Sequence, residues 1–138
     1  MYLVAKPFTM TTSLKRKLTL LLTVVLALWM IAAGSGKLMV GDEIIQAFHQ
    51  WRFPRWLIVP VGVAEVAAAI GIFIPKLRAW ALAGIVVLMA GAIVAHVNAN
   101  EYLALFAPLG VIALVVSIAK FRYDLARAAR SGNGSASA

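Results

Sequence analysis

The sequence has no cysteine, which removes disulfides, thiolate metal sites and thiol redox chemistry from this chain acting alone. Charge is scarce: Asp, Glu, Lys and Arg make up 13% of the 138 residues, about half of what a soluble domain carries. Acidic residues are the scarcest, five against 13 Lys and Arg. There are only two histidines, so a metal site would need carboxylate help, and no metal-ligand set stands out. These deficits exclude a soluble enzyme, a disordered tail and a nucleic-acid-binding module. What is abundant is apolar: 63% of residues are hydrophobic and the mean hydropathy is +0.93.

The apolar residues gather in four runs, each long enough to cross about 30 Å of hydrocarbon as a helix. They are 18–36, 56–74, 79–97 and 102–119. A membrane strand would alternate every second residue, and these runs do not. The first run is read as a retained span, because it exceeds the apolar stretch of an ordinary signal peptide; Met1 and Met10 are both candidate starts. The expected fold is therefore all-α, an integral membrane four-helix bundle over 18–121. Segment 1–17 precedes it, and a basic then disordered tail, 122–138, follows.

Lys and Arg set the orientation. The N-terminal segment, the turn after the second run and the C-terminal segment hold ten; the other two connections hold three. By the positive-inside rule both termini are cytoplasmic, in the plasma (inner) membrane. Trp51, Phe53, Trp56 and Tyr102 would mark the outer interface, and Trp80, Phe121 and Tyr123 the inner one. In the first outer loop, residues 42–51 read as a short amphipathic helix, capped by Asp42, with Ile44, Ile45, Phe48 and Trp51 on one side. Small residues should pack the helices: Gly84, Gly91 and Ala95 on the third run, and Ala32 to Gly36 at the end of the first.

Glu65 is the residue that most needs an explanation. It lies nine positions after Trp56, about 13 Å below the outer interface. A lone carboxylate there is costly and must pair, protonate or face a watery cavity. It shares a helical face with Gly62, Ala68, Ala69 and Ile72, so it should point into the bundle. Lys37, closing the first run, and His96, ending the third, are its candidate partners, with Ser35, Asn98 and Asn100 nearby. Such a Lys37–Glu65–His96 cluster is either a site or a strut that fixes helix register. His49 sits on the amphipathic helix, and neither histidine stands in a haem motif.

Several strings in order resemble the DoxX-like family of small four-helix membrane proteins. They are Gly36-Lys37-Leu38 closing the first run, Phe53-Pro54, Val63-Ala64-Glu65-Val66, Gly71-Ile72-Phe73-Ile74-Pro75 with the Arg78 turn, and Ala95-His96. The resemblance covers about Leu20 to Phe121. It implies a multi-pass protein that is a subunit or partner of a membrane-bound, quinone-linked redox system. Some relatives belong to quinone-reducing enzymes for thiosulfate, and others look like partners of redox-defence proteins. Lys37, Glu65 and His96 match the family's polar elements. On this reading Glu65 and His96 are the catalytic candidates, and Lys37, Glu65, His96 and Asn98 would bind a quinone. The expected partners are the lipid bilayer, other membrane redox proteins and a second copy of the chain. The competing readings are a non-catalytic assembly subunit and, ranked last, a small-solute transporter.

Overall fold

The structure, a computed structural model, describes residues 10–134. Lys6 and residues 135–138, the end of the expected disordered tail, lie outside them. Five α-helices follow one another: α1 Thr12–Leu38, α2 Asp42–Gln50, α3 Ile58–Gly71, α4 Arg78–Asn98 and α5 Phe106–Gly134. Short 3-10 turns, Arg55–Leu57 and Tyr102–Leu105, lead into α3 and α5. No strand occurs among the described residues. Three helical stretches are long and apolar enough to cross a membrane: Thr12–Leu38, Arg78–Asn98 and Tyr102–Arg130. A fourth qualifies only if α2 and Arg55–Gly71 are taken together, and these are bent by 119° to each other. The helices that qualify place the chain in contact with lipid.

Helix α3 is shorter than the run that predicts it. Its 14 residues rise about 21 Å, and the preceding 3-10 turn adds roughly 6 Å. It stops at Gly71 because Pro75 has no N–H to donate and biases Ile74 away from the helical region. The amides of Phe73 and Ile74 instead bond three residues back, to Ile70 and Gly71. Pro60, expected as a site of bending, falls in the first turn of α3, where a missing N–H costs little. At the other extreme, α5 continues through Gly134, so Ser131 to Gly134 are helical where a disordered tail was expected. Alanine and arginine, both strong helix formers, fill residues 126–130. Lys15 and Asp124, 2.8 Å apart, tie this extension to α1.

Helices α1, α3, α4 and α5 pack as a ring in which each touches two neighbours, α1 lying between α3 and α5 and α4 opposite it. The core holds Leu26 and Met30 of α1, Ala69 of α3 and Ile72 at its C-cap, Ile85 and Met89 of α4, and Val111, Val115 and Ile118 of α5. In α1, Thr19 and Thr23 are buried too, their hydroxyls donating to the carbonyls four residues back, Lys15 and Thr19; this satisfies them without a partner helix.

The closest backbone approach is between α1 and α3. A Cβ added at Gly34 would sit 2.8 Å from the Gly62 carbonyl oxygen and 2.8 Å from Val66 Cγ2, and one at Gly62 would sit 2.9 Å from the Gly34 carbonyl oxygen. The glycines expected to pack α4 do not behave this way. A Cβ at Gly84 or Gly91 meets nothing within 4 Å, and α4 presents Ile85, Met89 and Ala95 to the core instead. The sequence pattern cannot tell a small residue at a crossing from one beside a groove.

Helix α2 lies against the start of α3, with Phe48 buried beneath it. Its N-cap is Gly41, and no side chain caps it. Asp42, expected in that role, is the first residue of the helix, where its charge still suits the positive end of the helix dipole.

Candidate functional site

Glu65 is 4% exposed. Its face was legible from spacing: Gly62, Ala68 and Ala69 of α3, and Ile72 at its C-cap, are buried with it. Lys37 lies in the last turn of α1, with its Cβ beside Gly62, one turn from Glu65. The two glycines that let the backbones meet are what allow the lysine stem to bridge that turn. Lys37 Nζ donates to Glu65 Oε2 at 2.8 Å and to Oε1 at 3.0 Å, and to the Ala33 carbonyl at 3.3 Å. Three acceptors saturate the ammonium.

His96 is not part of that pair. Its Nδ1 lies 2.8 Å from Glu101 Oε2. A carboxylate only accepts, so Nδ1 carries the hydrogen, and in the neutral ring Nε2 is left as an acceptor. The same Oε2 accepts from Trp51 Nε1 at 3.2 Å. The Trp51 and His96 rings meet edge to face, 5.5 Å between centroids. The two basic residues expected around one acid therefore divide between two. Hydrogen bonds from His96 and then from Trp51 hold the Glu101 carboxyl below its usual range.

Backbone reversals at the ends of α2 and α4 assemble this second cluster. Asn100 is left-handed, with φ 59°, so the Glu101 amide bonds to the His96 carbonyl at 2.8 Å and the Asn100 amide to Val97 at 3.1 Å. That is a Schellman closure with asparagine in the glycine position. Helix α2 ends the same way at Arg52, φ 61°, with the Phe53 amide on the Phe48 carbonyl. The first reversal folds Glu101 back onto His96, and the second turns Phe53 back toward Phe48. Trp51, at the C-cap of α2, reaches the His96–Glu101 cluster from there. Sequence reading treated these stretches as plain connections and missed Glu101 and Trp51. The available signal was asparagine, the residue after glycine most at ease in that conformation, one position before an acid and four after a histidine.

Lys37, Glu65 and His96 all border one cavity of about 330 Å3 inside the ring. Trp29, Met30 and Ala33 of α1, Val61 of α3, Met89 and Ala92 of α4 and Pro108 of α5 form its apolar walls; Phe48, Trp51 and Phe53 close the end near α2. Asn98 is exposed and outside these walls, and its Nδ2 donates to the Trp51 carbonyl at 3.2 Å. Ser35 turns back on the Ile31 carbonyl and Asn100 accepts from the Tyr102 hydroxyl. His49 is exposed. Among the described residues no group of three or more His, Cys, Asp or Glu could hold a metal ion. The arrangement is an apolar chamber with an acid–base pair in one wall and an imidazole in another.

A ring of apolar helices with one acid, Glu65, buried within it defines a small multi-helix membrane protein. Residues 21–118 match the DoxX-like family, and the chain belongs to it. An uncharacterized protein of Bacillus subtilis (strain 168), YdgD, is 30% identical over 105 residues, 73% of this chain and 92% of that protein. No solved structure matches.

Proposed function

We propose that this chain is a four-span subunit or partner of a membrane-bound, quinone-linked redox system, and that the cavity receives the quinone head group. The observation that carries the reading is the cavity itself: about 330 Å3 of mostly apolar space bordered by Lys37, Glu65 and His96. Its volume is at the lower end for small-molecule sites, the size for one ring system rather than a large substrate. The residues present fit such a group. Trp29, Trp51 and Phe53 offer aromatic rings, and Lys37 Nζ can exchange its long 3.3 Å bond to the Ala33 carbonyl for one to a quinone carbonyl oxygen while keeping Glu65. A quinone, when bound, supplies two-electron, two-proton chemistry at paired carbonyl oxygens, with the electrons drawn from a partner reductase. The chain's own part is to bind, orient and exclude water. Lys37 orients a carbonyl through hydrogen bonding, Glu65 passes a proton along the pair, and His96, held by Glu101, presents Nε2 to the chamber.

In this reading α1, α3, α4 and α5 all cross the plasma (inner) membrane with both termini cytoplasmic, and α2 lies at the outer surface. Charge supports that orientation. At the end holding the α3–α4 turn are Lys15, Arg16, Lys17, Lys76, Arg78, Lys120, Arg122, Arg127 and Arg130, with Asp124 as the lone acidic side chain. The test is saturable quenching of tryptophan fluorescence by a short-tailed quinone added to the chain in nanodiscs. K37M should weaken binding about tenfold, the worth of a charged hydrogen bond, and W29F/W51F, which removes both tryptophans of the cavity wall, should remove most of the quenching. Absence of saturable quenching overturns the reading. A second reading, a non-catalytic assembly subunit, is favoured by one fact: the Lys37–Glu65 pair sits at the tightest helix crossing, where a strut would. It predicts that E65Q lowers recovery of a partner complex and changes no quinone binding.

A further inference from the structure

Arg122, on α5, makes no hydrogen bond or ion pair with any described residue, and its Nε is buried with no partner. An unpaired buried guanidinium nitrogen is costly. Arg78, in the first turn of α4, which packs against α5, lies close enough for its charge to act on Arg122. Arg78 cannot turn away freely, because its Nε donates to the Ile72 carbonyl at 2.9 Å, at the end of α3. The fold thus holds two cations together at the junction of three helices.

No carboxylate side chain relieves them. The chain has five. Asp42 and Glu43 belong to α2 at the far end; Glu65 is taken by Lys37, Glu101 by His96 and Trp51, and Asp124 by Lys15. Like charges brought together and left without an acid call for an external anion. Guanidinium forks match the oxygens of a phosphate. Two large aromatic side chains stand exposed beside the pair in sequence, Trp80 and Tyr123, the types that settle at the level of lipid head groups.

We infer that Arg78 and Arg122 form a binding site for the phosphate of one anionic phospholipid, at the end of the ring opposite the cavity. The site is independent of the cavity and of what the cavity holds. The Arg122 Nε–H and the outer nitrogens of both residues donate to the phosphate oxygens, and the acyl chains run along the apolar surfaces of α4 and α5. The bound lipid then bridges the end of α3 to α4 and α5, beside the short Ile72–Leu77 turn.

Native mass spectrometry of the full chain, released from detergent with added phosphatidylglycerol, tests this. The unaltered chain should retain one lipid, and its melting temperature should rise as the lipid is added. R122Q should retain about tenfold less, while R127Q, which removes an exposed cation of the same helix, should match the unaltered chain. Each variant is compared with its own lipid-free melting temperature, so an intrinsic loss of stability does not mimic loss of the site. Equal retention by R122Q and the unaltered chain overturns the proposal, as does an equal loss in R127Q, which would mean diffuse attraction only. Millimolar inorganic phosphate that raises the melting temperature as much as the lipid does would assign the site to soluble phosphate and overturn the lipid.

Discussion

Removing Lys37 should destabilise the protein more than removing the charge of Glu65. The pair is 2.8 Å apart, with side-chain exposures of 16% for the lysine and 6% for the glutamate. At an effective dielectric of about 20, two unit charges at that distance attract by about 6 kcal/mol. Desolvation of both groups offsets much of this, and losing one partner of a buried pair typically costs about 3–5 kcal/mol. The two partners are not equivalent. Lys37 closes α1, keeps the Ala33 carbonyl as a further acceptor and has a stem that can swing toward the interface. Glu65 is fixed in the middle of a close-packed face. K37M should therefore cost about 3 kcal/mol, and E65Q only about 1–2 kcal/mol, since glutamine still accepts from the lysine. K37M/E65Q should fall between the single variants or below both rather than at their sum. Reversible unfolding in mixed micelles, followed by circular dichroism, gives these differences. Additive costs, or a larger cost for E65Q than for K37M, would refute the argument that the carboxylate is the trapped partner.

G34A should lower the melting temperature by the equivalent of about 1–3 kcal/mol, since the new methyl group meets a backbone oxygen that cannot move aside. G84A, whose methyl group meets open space, should be neutral or gain up to about 1 kcal/mol from helix propensity; a loss at Gly84 equal to that at Gly34 would contradict the assigned crossing. Glu101 is held below its ordinary value of 4.5 by His96 and Trp51. Its folded-state pKa lies below the unfolded one, so its contribution is complete above about pH 4.5 and is lost as pH falls through the lower folded value. Trp51 fluorescence should therefore change on acidification below pH 4.5, and E101Q should abolish that change; an unaltered acid transition in E101Q would show that another group is responsible.

Much of this protein was written locally. The hydrophobic runs place α4 within one residue at each end and locate the apolar stretches of α1 and α5, because hydropathy acts on each segment separately. The inward face of α3 follows from helical spacing alone, and Glu65 on it had to be buried because its neighbours 62, 68, 69 and 72 are small or apolar. The family resemblance came from the same strings. Where helices stop was less legible. Pro75 ends α3 through a rule that acts on the residue before it, while the extension of α5 through Gly134 runs past residues whose composition suggested a tail.

The partner of each polar group was decided only in three dimensions. Lys37 meets Glu65 because Gly34 and Gly62 bring two backbones together, whereas Gly84 and Gly91, equally small, border open space; the difference lies in where helices cross, which no single segment encodes. His96 is claimed by Glu101 and not by Glu65 because a left-handed Asn100 reverses the chain within five residues. Trp51 joins them from a helix fifty positions away. Composition and periodicity determined that an acid would be buried among apolar helices. Which base reaches it, what encloses the space beside it, and which arginines are left without an acid depend on packing between segments distant in sequence, and that is settled only when the helices are assembled.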